Sequence, residues 1–262
     1  MITSLQNRQI KEVVKLGDSR ERRKQNLFVI EGLRELSMAI ACNYTVKTLF
    51  VCDELLNNES ASMVCELDVQ TEKVSANVFR KMAFREKSDG IIAVAESRHL
   101  YLDGVLFSAN PFLIVIESIE KPGNLGAVLR TADAAGVDAV IVCDPKADIY
   151  NPNTIRSGIG CVFSMQVILC TSQEAFNWLK KTNITVFTAE PDASECYFDV
   201  DFTQPSAIVM GNEAAGLTDY WLRNADKRIK IPMAGHADSL NLSVSTAIIT
   251  FEAMRQRKKI ID

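Results

Sequence analysis

Residues 112–143 read FLIVIESIEKPGNLGAVLRTADAAGVDAVIVC, in which two short runs of apolar and β-branched residues flank a helical pattern. The runs at 112–117 and 139–143 have the length and composition of buried strands, and residues 127–135 favour a helix. Such alternation of strands and helices predicts an α/β fold with mostly parallel strands. It continues along the chain, with further strands predicted at residues 27–30, 46–52, 91–95, 185–189, 207–210 and 228–231, and further helices at 33–42, 173–181 and 242–258.

A boundary between two domains is predicted near residues 97–110. The stretch from Ser97 to Gly104 loses clear periodicity, and Pro111 then precedes the strong strand that starts at Phe112. We therefore predict a small α/β domain at 1–98, a linker at 99–110 and a larger domain at 111–262. Both predicted domains have ordinary lengths for units with their own hydrophobic core.

The composition is that of a globular protein, with 47% hydrophobic and 24% charged residues among 262. No apolar run approaches the roughly 18 residues that cross a bilayer, so no membrane segment is expected. The seven cysteines are odd in number and no two are spaced Cys-x-x-Cys, which argues against a disulfide framework and a zinc site. The N-terminus also lacks a signal-peptide layout, and these features together predict a cytoplasmic protein. His99 and His236 have no other ligand at metal-binding spacing, so no metal is expected.

Positive charge is concentrated locally in a chain whose net charge is −4 and whose pI is about 5.4. Local basic groups on an acidic protein are compatible with phosphate binding, because the nearby field matters more than the total charge. A set of solvated helix faces explains each group equally well when it is taken alone. The groups are residues 8–24, then Arg80, Lys81, Arg85 and Lys87, and finally Arg255, Arg257, Lys258 and Lys259.

The first of three polar segments follows the strand at 112–117, at the strand end where open α/β sheets bind ligands. Gly123 and Gly126 permit a tight turn and a close approach to the backbone, and Arg130 lies in the early turns of the following helix. Asn124 is predicted to open and cap that helix. For this segment alone, a plain capped helix with one surface arginine is the alternative.

The other two segments follow the strands at 207–210 and 228–231. The first strand runs into Gly211, which lets a ligand lie against the backbone, and Glu213 is predicted at a helix N-terminus. The alternative for Glu213 is a simple helix-end charge. The last segment places Ser239, Asn241 and Ser243 before the final helix. Ser239 or Asn241 would serve as its N-cap, and two hydroxyls and an amide exceed what one cap needs.

Together, the three segments resemble the SpoU/TrmH-type ribose methyltransferases of the SPOUT superfamily. The first family motif is an asparagine, a glycine, and an arginine six residues after the asparagine; Asn124, Gly126 and Arg130 match it. The second, Gly-Asn-Glu with a glycine three residues on, matches residues 211–216, and the third, Ser-Leu-Asn-x-Ser, matches residues 239–243. All three occur in family order within residues 112–258, so the resemblance is specific.

The resemblance implies an S-adenosylmethionine-dependent enzyme that methylates a ribose 2′-hydroxyl of RNA. It also implies a SPOUT-type parallel sheet whose C-terminal chain forms a deep trefoil knot, and a homodimer formed through the C-terminal domain. The residues implied to contact the cofactor are Thr188, Ala189, Glu190, Gly211, Ile231, Met233 and Leu240.

The N-terminal part resembles the small α/β RNA-binding domain that many family members carry. This second resemblance rests on residues 28–32, Phe-Val-Ile-Glu-Gly, and on the basic helices that flank them. Such a domain is typical of members that modify ribosomal RNA, so large-subunit ribosomal RNA is the expected substrate. The residues expected to bind RNA are Arg20, Arg22, Arg23, Lys24 and Arg85.

By the same resemblance, Arg130 is the catalytic arginine, and Asn124, Glu213, Ser239 and Asn241 orient it and the ribose. Arg130 would act either as a general base or as a charged group that stabilises the developing alkoxide. A neutral guanidine at pH 7 costs about 7 kcal/mol because the reference pKa of arginine lies far above neutral, so the charged role costs less. Alignment of the two reactants supplies about 7–11 kcal/mol of the barrier. General-base help adds a rate increase of roughly 10²–10⁴-fold, which corresponds to a smaller energy, so alignment is the larger contribution.

Three alternatives remain at this point. A dinucleotide-binding or ordinary nucleotide-fold enzyme would require Gly-x-Gly-x-x-Gly after its first strand, and that pattern is missing. An RNA-binding adaptor without activity would be favoured by the loss of Arg130 or Glu213, and both are present. Transfer RNA is the alternative substrate, although its modifying enzymes more often carry short terminal extensions.

Overall fold

The structure, a computed structural model, describes residues 1–86 and 88–258. The predicted basic residues Lys87 and Lys259 and the side chain of Lys258 therefore lie outside the described residues. Up to residue 98, the elements are α1 (Arg8–Lys15), α2 (Ser19–Gln25), β1 (Leu27–Glu31), α3 (Leu33–Ala41), β2 (Val46–Val51), α4 (Asn58–Glu66), β3 (Thr71–Lys73), α5 (Ala76–Met82) and β4 (Ile91–Glu96).

The elements after residue 98 begin with a short 3-10 helix, Leu102–Gly104. They continue with β5 (Phe112–Glu117), α6 (Pro122–Ala135), β6 (Ala139–Cys143), α7 (Pro152–Ser157), α8 (Cys161–Ser164), β7 (Val167–Cys170), α9 (Ser172–Lys181), β8 (Thr185–Ala189), β9 (Glu195–Cys196), β10 (Ser206–Met210), α10 (Asp219–Asn224), β11 (Lys227–Lys230) and α11 (Leu242–Lys258).

The chain groups into two compact units. Unit 1 contains Met1–Arg98 together with Asp148–Ser164, and unit 2 contains His99–Ala147 and the described residues from Met165 onward. Unit 1 is therefore built from two separate stretches, the second of which carries α7 and α8. The prediction of contiguous domains at 1–98 and 111–262, joined by a linker at 99–110, placed this second stretch in the larger domain, and these boundaries stay a prediction.

Unit 1 is organised around a four-stranded sheet in the order β1-β4-β2-β3. β4 pairs antiparallel with β1 and β2, and β2 pairs parallel with β3, so this small sheet is mixed. The ring of Phe28 on β1 stacks on Tyr150, with centroids 4.3 Å apart. Arg22 on α2 forms an ion pair with Asp148 at 2.7 Å. These aromatic and charged contacts hold the second stretch in unit 1.

Unit 2 is organised around a seven-stranded sheet in the order β7-β6-β5-β10-β8-β11-β9. All of its described strand pairings are parallel. β5, β6 and β10 are buried along their whole length, as expected where helices cover both faces of a parallel sheet. The predicted α/β fold class, with a parallel sheet preceded by a small α/β region, is confirmed. The trefoil knot stays a prediction.

The last helix of unit 2 is fastened to the sheet by Arg257. Its guanidinium donates hydrogen bonds to the carbonyl oxygens of Asn110 at 2.7 Å and Gln204 at 2.6 Å, and lies over the ring of Phe112. Burial lowers the pKa of this guanidinium below its usual value. Arg257 therefore holds α11 against the sheet, and its guanidinium is not an exposed part of the basic group predicted at the end of the chain.

Candidate active site

A cavity of about 360 Å³ lies in unit 2 at the carboxyl ends of β8, β10 and β11. This is the edge at which open α/β sheets bind ligands, and the volume lies in the range of cofactor sites. Six of the residues predicted to contact the cofactor line this cavity, namely Ala189, Glu190, Gly211, Ile231, Met233 and Leu240.

Thr188 is the predicted cofactor residue that does not line the cavity. It is completely buried, and its Oγ1 lies 3.4 Å from the carbonyl oxygen of Lys227. Successive strand residues point to opposite faces, so Thr188 turns away where Ala189 turns towards the cavity. The sequence motifs did not indicate Leu242, Ser245 and Ile249, which also line it. Their spacing of three and four residues is the signal that could have found them, because it places them on one helix face.

Residues 211–217, here called the cavity loop, fold back on themselves after β10. The backbone groups of Asn212 and Gly216 exchange two hydrogen bonds of 3.0 Å. A Cβ at Gly211 would lie 2.2 Å from the carbonyl carbon of Gly216, so the turn itself requires glycine at 211. The prediction that Glu213 lies at a helix N-terminus is wrong, because this loop is a turn and α10 begins only at Asp219.

Three of the predicted catalytic side chains form a hydrogen-bonded chain beside the cavity loop. Asn124 Nδ2 donates to Glu213 Oε1 at 2.6 Å, and Asn241 Nδ2 donates to Asn124 Oδ1 at 3.2 Å. Asn241 also accepts the backbone N–H of Ser243 at 2.9 Å, which confirms its predicted N-cap role. The capping role predicted for Asn124 is wrong, because α6 begins at Pro122 and Asn124 lies within its first turn.

The second carboxylate oxygen of Glu213 is unusual. Glu213 Oε2 is buried and has no hydrogen-bond partner among the described residues. An unsatisfied buried acceptor costs roughly 1–3 kcal/mol, more when it is charged, so a donor from a ligand or a water is expected at this atom. Glu213 also lines the cavity, so that donor would lie in or next to the cavity.

The remaining predicted catalytic residues, Arg130 and Ser239, lie apart from this chain. Ser239 is exposed and lines the cavity. Arg130 is exposed on α6, and no hydrogen bond joins its guanidinium to another described residue. The structure therefore brings together Asn124, Glu213 and Asn241, and leaves Arg130 open to a partner from outside the chain.

The cavity has an acidic lining. Glu190, Glu213 and Asp238 contribute three carboxylates to it. Glu190, at the end of β8, accepts a hydrogen bond from Arg228 on β11, and this bond raises the pKa of the Arg228 guanidinium. An acidic lining favours a ligand that carries positive charge.

The residues predicted to bind RNA all lie in unit 1 and differ in how they are used. Arg20, Arg23 and Lys24 are exposed on α2. Arg22 is 2% exposed and donates to Asp148 and to the carbonyl oxygens of Leu16 and Gly17. Arg85 is paired with Glu35 at 2.5 Å, and 21% of its side chain is exposed.

The described residues contain neither a membrane-spanning helix nor a metal-binding group of side chains. Within that part of the chain, no helix combines the length and the apolarity needed to cross a membrane. Nor do three or more His, Cys, Asp or Glu residues there form a group that could hold a metal ion.

Comparison with known proteins identifies the family. Residues 111–251 match the SpoU rRNA Methylase family, and residues 7–93 match the MRM3-like substrate binding domain. A 23S rRNA (uridine(2479)-2′-O)-methyltransferase of Streptomyces viridochromogenes is 32% identical, and the alignment covers 92% of this chain and 87% of that protein. The 23S rRNA (guanosine(2553)-2′-O)-methyltransferase RlmP of Bacillus subtilis is 31% identical, with 95% and 97% covered.

A solved structure gives the same result for the fold. The SpoU methyltransferase AviRb from Streptomyces viridochromogenes, solved in complex with the cofactor AdoMet, superposes with a TM-score of 0.91. It is 27% identical, and the match covers 97% of this chain and 99% of that one. The family match spans more than half of the sequence, so the chain belongs to the SpoU rRNA methylase family, as its three motifs indicated.

Proposed function

We propose that this chain transfers a methyl group from S-adenosylmethionine to a ribose 2′-hydroxyl of ribosomal RNA. The observation that carries the proposal is the cavity at the ends of β8, β10 and β11, beside which Asn124, Glu213 and Asn241 are joined by hydrogen bonds. Membership of the SpoU family and the AdoMet-bound relative support the enzyme class and the cofactor.

The residues of the cavity fit this cofactor. Apolar side chains such as Ile231, Met233 and Leu240 provide a surface for an adenine ring. The carboxylates of Glu213 and Asp238 suit the positive charge of a sulfonium and an ammonium group, whereas Glu190 is already paired with Arg228. The unpartnered Glu213 Oε2 offers an acceptor to a donor from a bound molecule. When bound, S-adenosylmethionine supplies an already activated methyl group.

The side chains of the chain then have to position the ribose and stabilise the charge that develops on its 2′-oxygen, while the hydroxyl proton leaves to water. Asn124 is held between Glu213 and Asn241, so its orientation is fixed before any substrate arrives. Such preorganisation lowers the cost of aligning the attacking 2′-oxygen. Arg130, charged and exposed, binds the phosphate next to the target ribose and stabilises the developing negative charge on the 2′-oxygen. Ser239, on the cavity wall, helps to orient the ribose.

Ribosomal RNA is proposed as the substrate class. The two relatives described above, aligned over 92% and 95% of this chain, are named 23S rRNA methyltransferases, and residues 7–93 match a substrate binding domain. The two relatives are named for a uridine and a guanosine, so they do not point to one common nucleotide. We propose Arg20, Arg23, Lys24 and Arg85 as RNA contacts in unit 1. Arg22 is left out because its donors are used within the fold.

A homodimer formed through unit 2 is proposed as the active form. Val244 and Phe251 are 46% and 48% exposed, and their spacing of seven residues puts them on one face of α11. Leu240, 38% exposed, precedes them, and a continuous exposed apolar face is typical of an interface. α6, which carries Arg130, packs against α11, so a second copy on this face would lie near Arg130.

The knotted topology and a cytoplasmic location remain part of the proposal.

The proposal is tested by methyl transfer from labelled S-adenosylmethionine to purified, unmodified ribosomal and transfer RNA. The products are digested to nucleosides, and Arg130→Ala serves as the inactive control. Label in a 2′-O-methylnucleoside of ribosomal RNA, made only by the unmutated protein, is expected. Label confined to transfer RNA would change the substrate, label on a base would contradict the chemistry, and the absence of cofactor binding would contradict the enzyme itself.

A further inference from the structure

We propose that Glu117 and Ser118 form a clamp that holds both ends of the cavity loop, and that Glu117 is a positioning residue for cofactor binding. This inference rests on the proposed function, because it assigns the cavity to S-adenosylmethionine. Neither residue belongs to the matched motifs or lines the cavity. They follow one another at the end of β5, the strand that pairs with β10.

Glu117 holds the far end of the loop. It is 2% exposed, and a buried carboxylate is stable only when its oxygens are well bonded. Its Oε2 accepts the backbone N–H of Thr218 at 2.8 Å, and its Oε1 accepts the Thr218 hydroxyl at 2.7 Å. Thr218 directly follows the cavity loop, so one carboxylate fixes the position at which the loop ends. Hydrogen bonds to a charged acceptor are the stronger kind.

Ser118 holds the near end of the loop. Its carbonyl oxygen accepts Asn212 Nδ2 at 2.8 Å, and its own N–H donates to the carbonyl oxygen of Cys143 at 2.8 Å. Ser118 has a φ of 51°, in the left-handed region that non-glycine residues rarely adopt. Backbone in this region persists only where its surroundings fix it, and such positions cluster near functional sites. The Asn212 side chain also accepts the backbone N–H of Ala214 at 2.8 Å, which shapes the loop between the two ends.

The clamp has a direct consequence for the site. Residues 211–216 line the cavity, and Glu213 within them holds Asn124. A shift of either loop end therefore moves one wall of the cavity and one end of the Asn124–Glu213–Asn241 chain. With a rigid clamp the cavity is formed before the cofactor arrives, and binding is not weakened by the cost of ordering the loop.

Glu117 also takes part in a second set of hydrogen bonds, which supports the fold and does not involve the cavity loop. The Ser172 hydroxyl lies 3.1 Å from Glu117 Oε1 and accepts Trp221 Nε1, also at 3.1 Å. Those groups lie away from the cavity and tie α9 to α10. The bonds to Thr218 act where the cavity loop ends and α10 begins, so a substitution at 218 changes the clamp without touching Ser172, whereas a substitution at 117 changes both sets.

The test is calorimetric titration of S-adenosylmethionine into the full-length protein and three variants. Glu117→Gln keeps the size of the side chain but turns an N–H donor towards the Thr218 N–H or hydroxyl. We expect its Kd to rise about tenfold or more, with the number of binding sites unchanged. Thr218→Val loses one of the two bonds, so a rise of about threefold is expected, and Thr218→Ser should restore the unmutated value.

Glu31→Gln is the matched control. Glu31 is also a buried carboxylate, 5% exposed, that accepts a backbone N–H at 2.7 Å, but it lies in unit 1. Its substitution should leave the Kd for S-adenosylmethionine unchanged. A Glu117→Gln protein with an unchanged Kd and fewer binding sites would mean that Glu117 only supports the fold, and would overturn the clamp.

Hydrogen exchange of the loop amides without cofactor gives an independent readout. Faster exchange at residues 212–218 in Glu117→Gln, with unchanged exchange along β5 and β10, is the expected result. Unchanged exchange in the loop would contradict the clamp even if the protein binds a different cofactor. A failure of the unmutated protein to bind S-adenosylmethionine would instead contradict the proposed function, so the two failures are distinguishable.

Discussion

Buried charge is used differently at Arg22 in unit 1 and at Glu213 in unit 2. In unit 1, the guanidinium of Arg22 donates to Asp148 and to two backbone carbonyl oxygens while only 2% of the residue is exposed. In unit 2, Glu213 holds Asn124 with one carboxylate oxygen and leaves the other buried without a partner among the described residues. The donors of a fully bonded buried charge are satisfied within the fold, whereas an unused acceptor beside a cavity points to a ligand.

This difference leads us to expect different functional importance for the two groups of charged residues. Arg22 and Arg85 were singled out because of local positive charge, and each already has a carboxylate partner. The polar residues of unit 2 follow the carboxyl ends of parallel strands, where the topology gathers loops at one edge. We therefore expect position in the fold to be the better guide to the functional residues of this chain.

The largest effect is expected at Arg130. Arg130→Ala should lower methyl transfer by about 10³-fold or more, because the charge that stabilises the developing alkoxide is lost. The affinity for S-adenosylmethionine should change by less than about threefold, because Arg130 does not line the cavity. Single-turnover transfer and calorimetry measure the two quantities. Partial activity in Arg130→Lys would favour the electrostatic role over a general base. A loss of cofactor affinity in Arg130→Ala would contradict the prediction that Arg130 acts on methyl transfer and not on cofactor binding.

The second-largest effect is expected on the stability of unit 1, where a buried and an exposed arginine of α2 can be compared. Arg22→Ala should lower the free energy of unfolding by about 3 kcal/mol, because it leaves Asp148 without its buried partner. Arg23→Ala, an exposed neighbour on α2, should change it by less than about 0.5 kcal/mol. Urea denaturation checks both values. Equal stability of the two variants would show that the buried pair does not stabilise unit 1.

A smaller effect is expected on RNA affinity. The triple substitution of Arg20, Arg23 and Lys24 by alanine should reduce the slope of log affinity against log salt by about 2, as each lost phosphate contact removes about 0.7. Unfolding and cofactor binding should be unchanged, because all three side chains are exposed. Filter binding over a series of salt concentrations gives the slope. An unchanged slope would move the RNA surface away from α2.

The smallest effect is expected at Thr188. Thr188→Val keeps the shape of the side chain and removes only a long contact of 3.4 Å to Lys227. The Kd for S-adenosylmethionine should therefore change by less than about twofold. Leu240→Ala, which removes a side chain from the cavity wall, is the comparison. If Thr188→Val weakened binding more than Leu240→Ala does, the cavity wall would be assigned incorrectly.

Much of unit 2 could be predicted from the sequence because its signals are local. The strands at 112–117, 139–143 and 185–189 were predicted with their observed bounds, since each is a short apolar run between polar residues. The family was predicted from three motifs and is confirmed. The cofactor contacts and catalytic roles of individual residues stay predictions, although the structure brings Asn124, Glu213 and Asn241 together.

Several of the features that were missed depend on long-range contacts, although the local strands β3 and β7 were missed as well. The assignment of α7 and α8 to unit 1 rests on pairs such as Arg22 with Asp148 and Phe28 with Tyr150, which no local pattern reveals. Asn124 was expected to cap a helix because an asparagine near a helix start usually does. It instead bonds to Glu213, 89 residues away. Glu117 and Thr218 are likewise 101 residues apart.

The most direct test of the site is an experimental structure of the protein crystallised with S-adenosylmethionine. We expect the cofactor in the cavity at the ends of β8, β10 and β11, with its adenine beside Ile231 and Leu240 and a donor within hydrogen-bond distance of Glu213. Cofactor density at any other place in the molecule, or a Glu213 Oε2 that stays without a partner in the complex, would contradict this assignment.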